Sequence, residues 1–90
     1  MDNIVAEKIF LKENEGVRVN SNDFCAIFLL KDFELNQFIS ALKKNMLTPT
    51  YQSTPVEIYS ASSEMWNVVI CFQGTVKKIK FNLEKIESLD

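Results

Sequence analysis

Two short stretches of the chain are apolar on both of the faces that a β-strand presents. Residues 66–72 read WNVVICF, and residues 24–30 read FCAIFLL. Alternate side chains of a strand point to opposite faces of its sheet, so both stretches predict strands that are covered on both sides. A chain of 90 residues must therefore provide two covers for its sheet, or leave one face to another molecule.

The composition places the chain among folded proteins, with 47% apolar and 24% charged residues. Its length predicts a single domain over residues 1–90. The net charge of −2 argues mildly against a dedicated nucleic-acid-binding protein, because such proteins are usually basic. Residues 1–15 lack the apolar segment of a signal peptide, and no apolar run is long enough to span a membrane. We therefore expect a cytoplasmic protein with no membrane partner.

One segment predicts a long helix. Residues 32–47 begin with Asp32, which can cap the first turn. Their apolar side chains follow the three-to-four spacing of a helix that covers a core. This apolar stripe consists of Leu35, Phe38, Ile39, Leu42 and Met46.

The other predicted elements are strands, and short turns separate most of them. Their ranges are 3–12, 17–19, 24–30, 56–60, 66–72 and 75–81. The strand 17–19 is expected to pair with the first strand through a turn in which Gly16 can take positive φ, and residues 82–90 could form a short C-terminal helix. The predicted fold class is α+β, a two-layer sandwich with one long helix on one face of a mainly antiparallel five- to six-stranded sheet, in the order β-β-β-α-β-β-β.

One helix can cover only one face of such a sheet, so the second face needs another cover. The sheet could curl on itself, the terminal helix could cover it, or another molecule could bind there. The bulkier rows, which contain Phe28 and Ile70, are expected to meet the helix. The smaller rows then remain for a partner or for a curled sheet. Those rows consist of Cys25, Ile27, Leu29, Asn67, Val69 and Cys71.

The residues that most enzymes rely on are missing. The chain has no histidine, which is the commonest general base near neutral pH and the commonest zinc ligand. Cys25 and Cys71 both lie within apolar strands, where we expect reduced structural thiols that are not nucleophiles. No enzymatic activity, cofactor, metal site or catalytic residue is predicted.

The surplus of apolar sheet surface favours a small non-enzymatic protein-binding module that acts by occupying a surface, as inhibitors, immunity proteins and adaptors do. Its partner would be another protein or a second copy of the chain, which would form a homodimer. The predicted partner-binding residues are Tyr59, Trp66, Val69, Ile27, Lys78 and Lys80.

The alternative function is that of a nucleic-acid-binding accessory protein. Lys77, Lys78 and Lys80 form the most basic run, and they could contact phosphates while Tyr51, Tyr59 and Trp66 stack on bases. The structural interpretation of the same run is an edge strand whose lysines prevent unwanted pairing.

Overall fold

The computed structural model describes residues 3–87 and contains six strands, one α-helix and one short 3₁₀ helix within them. In chain order they are β1 (Ile4–Leu11), β2 (Gly16–Ser21), β3 (Cys25–Leu30), α1 (Asp32–Lys43), β4 (Val56–Tyr59), β5 (Glu64–Phe72), the 3₁₀ helix (Val76–Lys78) and β6 (Phe81–Ile86).

The strands form two antiparallel sheets of three strands each, and this differs from the single sheet of five or six strands that we predicted. The first sheet has the order β1-β5-β3, and the second sheet has the order β4-β2-β6. The α+β class and the antiparallel pairing agree with the sequence analysis. The layers are three: α1, the first sheet and the second sheet.

The second sheet covers the face of the first sheet for which the sequence analysis had not decided on a cover. One face of the first sheet packs against it, and the side chains between them include Val17 and Val19 from β2. The opposite face packs against α1 through Leu42 and neighbouring apolar residues. Strand β5 lies in the middle of the first sheet, and its residues 66–72 are all buried, because both of their faces are covered by the same chain.

The rows of side chains combine differently from our prediction. Cα partners in an antiparallel pair point to the same face, and here Ile27 is the partner of Ile70 while Phe28 is the partner of Val69. Ile27 and Ile70 therefore lie between the two sheets. Phe28 and Val69 lie under the helix. The expectation that Ile70 meets the helix and that Val69 remains for a partner or a curled sheet is wrong, since the register was not visible in the sequence.

The helix begins where the sequence predicts and ends earlier. The backbone N–H of Lys31, the residue before the helix, donates to the Glu34 carboxylate at 2.9 Å, which satisfies a donor at the helix start. The helix ends at Lys43, and Asn45 follows with a left-handed φ of 56°. Met46 is consequently exposed and does not belong to the buried stripe.

Strand β2 pairs with β4 and β6, and it does not form the predicted hairpin with β1. In the turn before it, Asn14 takes the positive φ, at 70°, and Gly16 does not. Gly16 is needed for a different reason, because a Cβ there would lie 2.4 Å from the Ile58 carbonyl oxygen and 2.8 Å from the Tyr59 ring. Its missing side chain lets β4 approach β2 closely.

The last part of the chain is a strand where we predicted a helix. Residues 75–81 do not form the predicted strand: Val76–Lys78 are a 3₁₀ helix, and β6 begins at Phe81. Leu83 packs between the sheets, and β6 hydrogen-bonds along β2. A short segment with apolar residues at both helical and strand spacing takes the form that completes a neighbouring sheet. The end of the predicted helix, residues 88–90, lies outside the described residues.

Candidate functional site

The start of the helix is fastened to the first sheet by polar contacts. Asn67, the one polar residue within 66–72, donates from its side-chain amide to the Leu30 carbonyl at 3.1 Å and to the Asp32 carboxylate at 2.8 Å. Lys8 of β1 also bonds to Asp32, at 3.0 Å. These contacts, first that of Asn67 and then that of Lys8, lower the pKa of Asp32. They fix where the helix begins and leave the adjoining end of the sheet without a helical cover.

Two large apolar side chains are exposed at that uncovered end. Phe10 of β1 and Met65 of β5 are Cα partners and so share a face. They are 45% and 50% exposed. Phe33, in the first turn of α1, is 75% exposed. We call Phe10 and Met65 the apolar pair. An exposed pair of this size beside a helix start suits contact with another protein.

Strand β1 is also an edge of the first sheet, because it pairs only with β5. The Phe72 N–H donates to the Asn3 carbonyl at 2.8 Å, so the odd-numbered residues of β1 direct their backbone groups towards β5. The even-numbered residues Ile4, Ala6, Lys8 and Phe10 direct theirs to the other side. We call this side the open edge of β1, and it ends at the apolar pair.

Glu7 lies in the middle of β1 and faces the space between the two sheets. It is the Cα partner of the fully buried Val68, so it belongs to the same row as apolar core residues. Glu7 is nevertheless exposed. Within residues 3–87 no cation forms an ion pair with Glu7. A charge that points inwards on an edge strand is a known protection against unwanted pairing.

The other edge of the first sheet is occupied. The backbone N–H and carbonyl of Cys25 on β3 bond to Gln52 at 3.0 and 2.9 Å. Strand β4 runs close to β3, and the two strands border a groove of about 330 Å³. Ile27, a predicted partner-binding residue, lines this groove but is only 8% exposed. The groove walls carry one ionisable group, Glu57, so they offer little chemistry for recognising a charged ligand.

Two other predicted partner-binding residues are buried. Val69 is fully buried under the helix. Trp66 is 8% exposed and packs between the sheets, with its indole N–H donating to the Ser62 carbonyl at 3.3 Å. Its position in the row of Val68 and Ile70 puts it inside the core, so its ring is not presented to a partner from the surface.

Tyr59 lies on the outer face of the second sheet, which is polar. Its ring contacts the position where Gly16 lacks a side chain, and its hydroxyl donates to Glu57 at 3.2 Å. Beside it, Arg18 bonds to Glu57 at 2.7 Å and to Glu84 at 3.0 Å. The two carboxylates, first Glu57 and then Glu84, raise the pKa of Arg18. The hydrogen-bonding groups of this face largely satisfy one another.

Lys78 and Lys80 are exposed, at the end of the molecule away from the apolar pair. The Lys80 N–H donates to the side-chain oxygen of Asn22 at 2.9 Å, and the Asn22 N–H donates to the Lys80 carbonyl at 3.1 Å, so Lys80 lies beside the turn between β2 and β3. Phe24, from the same turn, is 50% exposed. The structure thus brings Lys80 close to an exposed aromatic residue, but it places neither lysine in the edge strand that the sequence predicted.

The thiols lie on different faces of the first sheet. Cys25 is buried between the sheets and Cys71 under the helix, and both are free. Burial raises the pKa of Cys25, and burial raises the pKa of Cys71 to about 11. Neither thiol is therefore in the accessible, electropositive setting that activates a cysteine nucleophile.

Sequence reasoning missed the apolar pair, Glu7 and the open edge of β1. One signal was present: the strand IVAEKIFL is apolar except for Glu7 and Lys8 at its centre. A charged pair in the middle of an apolar strand is typical of an edge.

Within the described part of the chain, no cluster of acidic or cysteine side chains could hold a metal ion. Between residues 3 and 87, α1 is too short and too polar to cross a membrane. Comparison with protein-family models, with characterised proteins and with solved structures finds no match to this chain.

Proposed function

We propose that the chain is a non-enzymatic protein-binding module, and that it binds its partner at the end of the first sheet where the helix begins. The observation that carries the proposal is the apolar pair, Phe10 and Met65, exposed beside the open edge of β1. Apolar side chains next to unpaired backbone groups offer a partner both buried area and hydrogen bonds.

The remaining surface supports this location. The groups on the outer face of the second sheet are engaged with one another through Arg18, and the edge of β3 is bonded to Gln52. The buried thiols and the missing histidine favour binding over catalysis. Inhibitors, immunity proteins and adaptors act through surfaces of this kind.

Site-specific photo-crosslinking in the native host tests the proposal. A photo-reactive phenylalanine analogue replaces Phe10, and as a matched control it replaces Asn20, an exposed residue of β2 in the second sheet. We expect one defined protein adduct at position 10, its loss when Met65→Asp is added, and no adduct at position 20. An adduct at position 20 alone, or one that survives Met65→Asp, would contradict this location.

A second candidate function is nucleic-acid binding at the lysine end. The specific observation is that exposed Lys80 is bonded to the turn that carries the exposed Phe24, with exposed Lys78 two residues before it. Such a combination can contact phosphates and stack on a base. Titration of a labelled single-stranded oligonucleotide across a salt series tests it. We expect affinity to fall steeply with salt and to be reduced by Lys78→Glu with Lys80→Glu. No binding at low salt would exclude this function.

A further inference from the structure

The open edge of β1 has the length and the backbone groups that strand addition requires. β1 spans Ile4–Leu11, and four of its residues direct an N–H and a carbonyl away from β5. An extended segment of a partner can bond to such an edge and continue the sheet. The exposed backbone of an edge strand can pair with unwanted chains unless it is protected or already bound to a partner.

A second copy of the chain fits this edge poorly. In a two-fold antiparallel pair, one residue of β1 lies on the axis opposite its own copy. The two registers that pair most of the strand put Glu7 opposite Glu7 or Lys8 opposite Lys8, and like charges directly opposite destabilise a sheet. Shifting the axis away from both residues leaves one end of the strand unpaired. The charges therefore select against self-pairing.

A different segment can satisfy the same charges. Lys8 already forms an ion pair with Asp32 at 3.0 Å, so a partner strand does not have to place a carboxylate opposite it. Glu7 has no ion pair within residues 3–87. Its neighbours in the same row, Val5 and Ile9, are half-buried and apolar and pack against the core. A partner strand that complements Val5, Glu7 and Ile9 therefore has a basic side chain opposite Glu7 and apolar side chains opposite the other two residues.

We propose that β1 binds, along its open edge, an extended segment of a partner protein that places a lysine or arginine opposite Glu7 and runs antiparallel to β1, the direction in which paired strands are more stable per residue. Apolar residues two positions before and after that cation lie opposite Ile9 and Val5. The residue three positions before the cation lies opposite Phe10, where an apolar side chain extends the apolar pair. The inference rests on the proposed function and adds the chemistry and direction of the bound segment.

Defined peptides test the requirement for a cation opposite Glu7, which we call the charge rule. The probe is a synthetic peptide of about ten residues with alternating apolar positions and Lys at the position opposite Glu7; a second peptide has Glu there. They are titrated into the native chain and into Glu7→Lys, whose changed side chain is exposed and leaves the core intact. We expect the Lys peptide to bind the native chain about tenfold more tightly than the Glu peptide, and Glu7→Lys to reverse that preference.

Amide hydrogen exchange identifies the binding mode in the same samples. The N–H groups of Ala6 and Lys8 should slow on addition of the Lys peptide, and N-methylation of the peptide amides that face β1 should abolish binding. Binding without slowed exchange at these residues overturns strand addition. Equal affinity for both peptides overturns the charge rule, as does no binding of either peptide. A dimer of the native chain joined through β1 would show that the edge binds a second copy and not a different protein.

These outcomes separate the two proposals. A specific crosslink at position 10, combined with failure of the charge swap and with no slowed exchange at Ala6 and Lys8, would leave the chain a protein-binding module that does not use strand addition. If no crosslink forms at position 10 and neither peptide binds, both the proposed function and the proposed bound segment are wrong.

Discussion

The two edges of the first sheet flank the same central strand and have opposite characters. On the face towards the second sheet, Val68 lies between Leu29 of β3 and Glu7 of β1. On the face under the helix, Val69 lies between Phe28 of β3 and Ala6 of β1. At both positions the β3 side carries a large apolar residue, and the β1 side carries a charged or small one.

The difference follows from what lies beyond each edge. β3 has β4 and the segment containing Gln52 beside it, so its large apolar side chains are buried or half-buried. β1 has no strand beyond it in the described structure, and charges such as those of Glu7 and Lys8 disfavour pairing of an edge with a copy of itself. The β3 edge is thus covered by the chain itself, and the β1 edge is the one at which we propose that a partner binds.

The largest expected effect tests the β3 edge. Phe28 packs under the helix with its ring centroid 4.6 Å from that of Phe38, so Phe28→Ala should lower the free energy of unfolding by about 3 kcal/mol. Ala6→Ser, in the same row at the other edge, should change it by less than about 0.5 kcal/mol. Denaturant unfolding measures both. Equal losses would show that the edges do not differ.

The next effect concerns β4, the strand that lies beside β3. Gly16→Ala places a methyl group 2.4 Å from the Ile58 carbonyl oxygen, which forces β4 away from β2 and should cost about 1–3 kcal/mol. Gly74→Ala is the matched control, because its nearest neighbour is a side-chain oxygen of Asp23 at 3.1 Å. Thermal unfolding compares them, and a Gly16→Ala variant as stable as the native chain would refute the close approach.

Hydrogen exchange compares the two edges without mutation. The N–H groups of Cys25 and Gln52 are bonded to each other's carbonyls at the β3 edge, whereas those of Ala6 and Lys8 point to the open edge. We expect the first pair to exchange at least about tenfold more slowly. Protection of Ala6 and Lys8 in the free chain would mean that their edge is already occupied.

The smallest effect is electrostatic and lies next to the open edge. Asn67 and Lys8 lower the pKa of Asp32 below its ordinary value, so its stabilising contribution is present above the unfolded-state pKa and is lost as the pH falls through the lower folded-state value. Asp32→Asn should flatten the stability profile in acid. Unfolding at a series of pH values checks this, and a steeper profile in the variant would contradict the assignment.

Part of the fold could be predicted because the signals were local. The helix start at Asp32 and the strands that cover residues 25–30 and 66–72 follow from side-chain spacing within each segment. The burial of Cys25 and Cys71 follows from their apolar neighbours. The apolar character of both faces of residues 66–72 correctly predicted that both faces would be covered, since an uncovered apolar face is unfavourable in water. It did not predict that the second cover would be a separate sheet of the same chain.

Other features were set by pairing between distant segments. The sequence alone could not show that residues 81–86 would complete a second sheet with β2, because short apolar spacing fits either a helix or a strand. It could not show which rows share a face, and so it proposed Trp66 and Val69 as partner-binding residues. It also expected β1 to pair with β2, whereas β1 pairs with β5. Strand order depends on contacts between residues far apart in the chain, and in this protein that order makes β1 the open edge and Glu7 its exposed charge.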